Sequence, residues 1–157
     1  MTRLALARHL ETFSRYSGDI LLLFDSDGRL VEANERAVEA YGYPRADLMA
    51  LGVDDLCALG GSADVRHRLE GAPAEGVDYE AVHKRADGSR FPVEVSARVI
   101  TIEGATYLQA VVRDISERKR AEETLAYQAM LLANMNEAVM GLDERFLLRA
   151  WNRAAER

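Results

Sequence analysis

The chain contains one cysteine, Cys57, and no continuous apolar run longer than the five residues Ile20 to Phe24. A single thiol excludes an internal disulfide framework and a cysteine-rich zinc site. Five apolar residues fall far short of the ~20 that a membrane span requires. The opening MTRLALARHLETF carries charge throughout and lacks the apolar centre of a signal peptide, so a cytoplasmic location without membrane contact is expected. Basic residues are also outnumbered: 20 Lys and Arg face 26 Asp and Glu, a net charge of −6. A general nucleic-acid binder needs a basic excess on one face, and that class is excluded. What remains is 48% apolar and 29% charged, the balance of a soluble globular chain. At ~100–200 residues per domain, 157 residues make one domain with or without attachments.

Residues 3–16 read as a short amphipathic helix, with Leu6, Leu10 and Phe13 at i, i+4 and i+7. After Ser17-Gly18 comes a buried strand, Asp19 to Asp25, then the turn Ser26-Asp27-Gly28 and a return strand from Arg29 to Ala33. Asn34 stands where its side chain can cap a helix, and that helix stops at Gly42 with Pro44 just beyond. Ala37, Val38 and Tyr41 face inward on it. Short helical pieces separated by glycines follow as far as Glu70. The period then changes to two. Val77–Arg85 and Phe91–Ile102 flank the turn Ala86-Asp87-Gly88-Ser89, and Phe91, Val93, Val95, Ala97 and Val99 alternate with polar residues. Glu103-Gly104 turns the chain into a fifth strand, Thr106–Arg113. The order predicts an α+β domain on one antiparallel sheet.

From Asp114 there is no breaker until Gly141. Asp114 and Glu117 have the spacing of a capping box. Ala121, Leu125, Gln128, Leu132 and Met135 fall at 4-3-4-3 spacing, the seam of a coiled coil with one polar interruption. Beyond it lies an internal repeat: shifted by 118 residues, Asp19–Ala37 lies over Glu137–Ala155 without gaps. Asp25 meets Asp143, Leu30 meets Leu148, Asn34 meets Asn152 and Ala37 meets Ala155.

Three strings carry a family resemblance. The first is Phe24-Asp25 with Asp27-Gly28-Arg29-Leu30-Val31 and Asn34; the second is Lys84-Arg85-Ala86-Asp87-Gly88-Ser89-Arg90-Phe91-Pro92-Val93-Glu94; the third is Arg113-Asp114-Ile115-Ser116-Glu117-Arg118-Lys119. In these the chain resembles a PAS domain over about 17–117, with the start of a second from about 136. The resemblance implies a five-stranded antiparallel sheet with short helices on one face around a small cavity. It also implies a non-catalytic input module of a larger bacterial-type signalling protein, of the histidine kinase or diguanylate cyclase class. Asp114 and Ser116 occupy the place where the family couples the last strand to the output helix. The chain is thus expected to divide into an N-terminal helical cap (1–17), a PAS domain (18–115), a helical signalling linker (116–135) and the truncated start of a second PAS domain (136–157).

Cofactor chemistry can be tested on the residues. Flavin photoreceptors of this family need a cysteine and a glutamine; here Asp55 and Val112 stand at those positions, Cys57 is two residues off, and Gln109 falls on the opposite face. Cys57 reads as a small apolar filler. Haem-binding members use a histidine before the third strand; His67 is in that region but sits between Arg66 and Arg68, as on a wet surface. His83 is placed on the exposed end of its strand, and the three histidines lack metal-ligand spacing. No cofactor or metal is predicted. The chain has no phosphate-binding G-x-x-x-x-G-K motif and no G-x-S-x-G, and the adjacent Asp54 and Asp55 cannot face each other as an acid–base pair.

By strand parity Ile20, Leu22, Phe24, Val93, Val95, Leu108, Ala110 and Val112 point inward and would line any pocket, which suits a small apolar ligand. Leu21, Leu23, Tyr107 and Val111 then form an apolar patch on the outer face. Homodimerisation through that face, the N-terminal helix and the linker helix is expected. The alternatives are a structural dimerisation spacer with a filled core, and a haem- or flavin-bearing gas or light sensor.

Overall fold

The structure, a computed structural model, describes residues 18–58, 61, 65, 76–134 and 137–156. The expected 3–16 helix, His67 and Met135 lie outside the described residues.

The first strand, β1 (Ile20–Phe24), is buried along its whole length, as a run of five apolar residues requires when both faces are covered. It pairs with β2 (Leu30–Ala33) on one side. Helix α1 (Glu35–Tyr41) follows, capped by Asn34 and ended by Gly42 at φ 73, the left-handed conformation that glycine adopts without steric cost. Two single-turn helices, α2 (Arg45–Leu48) and α3 (Val53–Leu56), lead towards the second half of the sheet. There β3 (Val77–Lys84), β4 (Arg90–Ile102) and β5 (Ala105–Asp114) form a meander. Glu103 and Gly104 both take positive φ (49 and 82), the pair of left-handed residues that a two-residue hairpin turn demands.

The five strands form one antiparallel sheet in the order β2-β1-β5-β4-β3. The expected α+β fold is therefore present: β5 closes back on β1 and places the two chain segments furthest apart in sequence at the centre. One face carries the core, in which Leu22, Phe24, Val93, Val95, Ala97 and Val112 pack against Ala37, Tyr41, Leu48, Val53 and Leu56 of the helices. The alternation on β4 holds from Phe91 to Ala97 but ends there. Val99, expected inward, is 54% exposed, as the buried alternation of β4 stops at Ala97. On the other face Leu21, Leu23 and Gln109 are also buried.

The chain divides after Ser116 into two compact units. The second holds all but the first residue of helix α4 (Ser116–Asn134), none of whose residues is buried, and a hairpin of β6 (Met140–Leu142) and β7 (Leu148–Trp151) followed by a 3-10 turn at Arg153–Glu156. No helix among the described residues is long and apolar enough to cross a membrane.

Candidate functional site

Between the sheet and the short helices lies a cavity of about 20 Å³, room for about one water molecule. Of the eight residues placed inward by parity, Leu22, Phe24, Val95, Leu108, Ala110 and Val112 line it. Ile20 and Val93 are buried in the same core but lie outside the lining. Val53 and Leu56 of α3, together with Cys57, Val65, Ala97, Tyr79 and His83, are the other described residues of the wall.

His83 corrects the sequence reading. It was placed on an exposed strand end, yet it is 5% exposed. The reason is register: β3 pairs His83 with Phe91 and Tyr79 with Val95, so the odd positions of β3 share the inner face of β4. The single-turn helices then cover that end of the strand, and Cys57 forms an isolated bridge to His83. Sequence parity could have found this, since His83 is in phase with Val77 and Ala81; what it could not supply was the covering turn.

The His83 ring is held by Tyr41. Tyr41 Oη and His83 Nδ1 are 2.7 Å apart within the core. Tyr41 is the donor: were Nδ1–H to donate, the phenol hydrogen would be buried without an acceptor. The imidazole is then the tautomer with its hydrogen on Nε2, and Nε2 lies 3.8 Å from Cys57 Sγ, a weak acceptor. Burial pulls the His83 pKa down to about 4 and pushes the Tyr41 phenol up, so both groups are neutral at physiological pH. The cavity wall is thus mostly apolar, with His83, Tyr79 and Cys57 as its polar side chains among the described residues.

From His83 a contiguous set of contacts leads to the start of α4. The His83 and Tyr41 rings both meet Phe91 edge-on, at centroid distances of 6.2 and 5.6 Å. The Arg85 guanidinium lies 3.7 Å over the Phe91 ring, donates to the Ala40 carbonyl at the end of α1, and donates to Asp114 Oδ2 at 2.9 Å. Asp114 Oδ1 in turn accepts from the Ser116 backbone N–H at 2.9 Å. Burial pushes the Asp114 carboxyl up, but the Ser116 and Arg85 hydrogen bonds outweigh it and hold the group below its ordinary value. The expected capping spacing is therefore altered: Asp114 caps two residues ahead rather than three, and Ile115 is buried between, its N–H bonded to the Pro92 carbonyl. Asp114 and Ser116 had been singled out from sequence; Arg85, which ties them to the cavity wall, had not.

The remaining sequence candidates fall elsewhere. Asp55 Oδ2 accepts from the Gly52 backbone N–H at the start of α3, and Val112 faces the cavity. Gln109 is on the outer face, where its Oε1 accepts from Arg98 Nε at 2.9 Å. No cluster of metal-ligating side chains occurs among the described residues. Ala121, Leu125, Gln128 and Leu132 lie along α4 and are all exposed. Asn34 Oδ1 accepts from both Ala37 and Leu21 N–H at 3.0 Å, so the predicted helix cap also fastens β1.

Comparison with known proteins agrees with this fold. A family model described as a PAS domain matches residues 18–117. The chain is 34% identical over 119 residues to diguanylate cyclase DgcM of Escherichia coli K12, covering 74% of this chain and 29% of that protein. It is 30% identical over 128 residues to the methyl sulfide methyltransferase-associated sensor of Methanosarcina acetivorans, covering 80% of this chain and 12% of that protein. The oxygen sensor protein DosP of E. coli K12 is 26% identical over 140 residues, 85% of this chain and 17% of that protein. The chain thus spans less than a third of the length of these relatives. Among solved structures, the PAS domain of an HTR-like protein from Haloarcula marismortui superposes with a TM-score of 0.60 at 27% identity, over 70% of this chain and 97% of that one. A PAS domain from Colwellia psychrerythraea gives the same TM-score at 20% identity, over 71% and 98% of the two chains, a likeness of fold alone.

Proposed function

The chain belongs to the PAS domain family, and we propose that it serves as the ligand-sensing input module of a larger signalling protein. The reading rests on one observation: a mostly apolar cavity carries in its wall the buried His83 ring, fixed by Tyr41. Such a wall favours a small, uncharged, mostly apolar molecule carrying one hydrogen-bond acceptor. A charged ligand would find no counter-charge among the described lining residues, whereas an oxygen or nitrogen acceptor could take the His83 Nε2–H from Cys57 Sγ, a weaker acceptor. A molecule larger than water requires the α3 side of the chamber to move outward.

Such a movement reaches the linker through Phe91 and Arg85, because Arg85 joins the ring beside the cavity to the carboxylate that caps α4. The exposed seam Ala121, Leu125, Gln128 and Leu132 suits pairing with a second copy, and a change at Asp114 and Ser116 would alter the register of that pair. The relatives named as a cyclase and as sensors support a parent protein of the signalling class, with the catalytic step outside this domain.

The test is mass spectrometry of denatured protein after purification, with a thermal-shift panel of small neutral metabolites. A retained or stabilising molecule that is lost in Ala110→Leu, which fills the chamber, supports the reading. Identical behaviour of wild type and Ala110→Leu throughout would refute it. The volume of about 20 Å³ favours a second reading, a dimerisation spacer whose core is simply filled; that reading predicts no ligand and unchanged linker pairing in Ala110→Leu.

A further inference from the structure

The hairpin after α4 repeats the hydrogen bonding with which the first domain opens. Asn152 Oδ1 accepts from Val139 and Ala155 N–H at 3.0 and 3.2 Å, and its Nδ2 donates to the Glu137 carbonyl at 2.8 Å. Asn34 makes the same three bonds with Leu21, Ala37 and Asp19, each at 3.0 Å. Asp143 Oδ1 accepts from the N–H groups two and four residues on, as Asp25 Oδ1 does. The strand registers agree as well, including the position of the irregularity: between Leu23 and Phe24 in β1, and between Gly141 and Leu142 in β6. Most residues in the two stretches differ, so the shared geometry reflects one design of strand, turn, strand and Asn cap.

The two hairpins differ in what surrounds them. Leu22, Phe24 and Leu30 are each less than 5% exposed, whereas their counterparts Met140, Leu142 and Leu148 are 63%, 57% and 48% exposed. β1 is paired on both edges, by β2 and β5; among the described residues β6 is paired only by β7. A lone hairpin with an apolar face is marginal in water, and an open edge beside such a face is a site for another strand.

We infer that residues 137–156 open a second domain of the same fold, and that the free edge of β6 receives a β5-type strand from polypeptide continuing beyond Arg157. The direction of the chain supports this occupant. Asn152 caps the 3-10 turn Arg153–Glu156 at the place where Asn34 starts α1, so the chain leaves on the path of the first domain. A second copy is a poorer donor, because its own β5 is already paired on both edges, with β1 and β4. α4 is then a connector between two like domains. The inference stands apart from the ligand reading, since it uses neither the cavity nor His83.

The experiment compares amide hydrogen exchange at Met140–Leu142 in the 157-residue chain and in the natural polypeptide extended by about 100 residues, one domain length. The expected result is exchange slowed by ~100-fold or more in the longer chain, with Asn152→Ala reversing the slowing while β1 stays protected. Equal exchange in the two chains overturns the inference. So does protection that appears in the 157-residue chain as its concentration rises, which would make a second copy the occupant. A coding sequence that stops after Arg157 overturns it too.

Discussion

Tyr41 Oη and His83 Nδ1 are joined by a 2.7 Å hydrogen bond inside the core, between the end of α1 and the end of β3. The bond holds one ring nitrogen and leaves the other 3.8 Å from Cys57 Sγ, so a single contact orients a ring of the cavity wall and braces helix against sheet.

Because burial lowers the His83 pKa to about 4 from 6.5, the unfolded chain binds the proton first as pH falls. The His83 contribution to stability is complete above about pH 6.5, declines between there and pH 4, and then levels off. The whole loss is on the order of 3 kcal/mol. Urea unfolding at pH 7 and pH 5 should show the decline, and His83→Phe should flatten it. An unchanged pH profile in that variant would assign the decline to other groups.

Removing the phenol hydroxyl in Tyr41→Phe leaves Nδ1 buried without a donor. The cost should be about 1–3 kcal/mol, the range for an unsatisfied buried acceptor. NMR of the His83 ring should show its hydrogen shared between the two nitrogens rather than confined to Nε2. A ring that keeps the Nε2–H form alone would mean that Tyr41 does not select the tautomer.

Arg85→Gln removes the stacking on Phe91 and the ties to Ala40 and Asp114 together. We expect a loss of about 1–2 kcal/mol and faster amide exchange at Ser116 and Glu117. Asp114→Asn should cost less, under about 1 kcal/mol, since its carboxylate is only partly shielded from water. If exchange at Ser116 is the same in both variants and wild type, the Arg85 contact does not govern the start of α4.

Asn34→Ala removes a helix cap and the acceptor for Leu21 N–H at once. The expected cost is about 2–4 kcal/mol, above that of an ordinary cap. Asn34→Asp should fall between, because it keeps the acceptor but loses the donor to Asp19. Thermal unfolding of the three proteins orders them, and an Asn34→Ala variant as stable as wild type would show that water replaces the side chain.

The seam of α4 makes a separate prediction. Leu125→Glu with Leu132→Glu should weaken self-association by ~100-fold or more in sedimentation experiments, as charges at seam positions do. Gln128→Leu should strengthen it. A wild-type chain that stays monomeric at every concentration removes the coiled-coil argument.

Much of the architecture was legible because it follows from local rules. The apolar run Ile20–Phe24, bounded by turn signals, reads as a doubly covered strand, Asn34 and Gly42 bound a helix by side-chain and backbone chemistry, and paired turn signals set the meander. The repeat that matches Asn34 with Asn152 was also legible, since cap and turn residues act within a few positions of themselves. Six of the cavity-lining residues followed from strand parity for the same reason.

The polar part of the site was not legible, because it depends on which elements meet. Whether His83 faces water or the core was decided by α3 and Cys57 closing over the end of β3, a contact between segments 26 residues apart. Arg85 looked like one more charge beside a turn; only the fold brings Phe91, Ala40 and Asp114 within its reach. Sequence alone thus determined the strands, caps and inward faces, which are short-range consequences of side-chain size and polarity. Tertiary structure alone decided the tautomer, the lowered pKa and the link from cavity to helix, because these depend on burial and on distances between residues far apart in the chain.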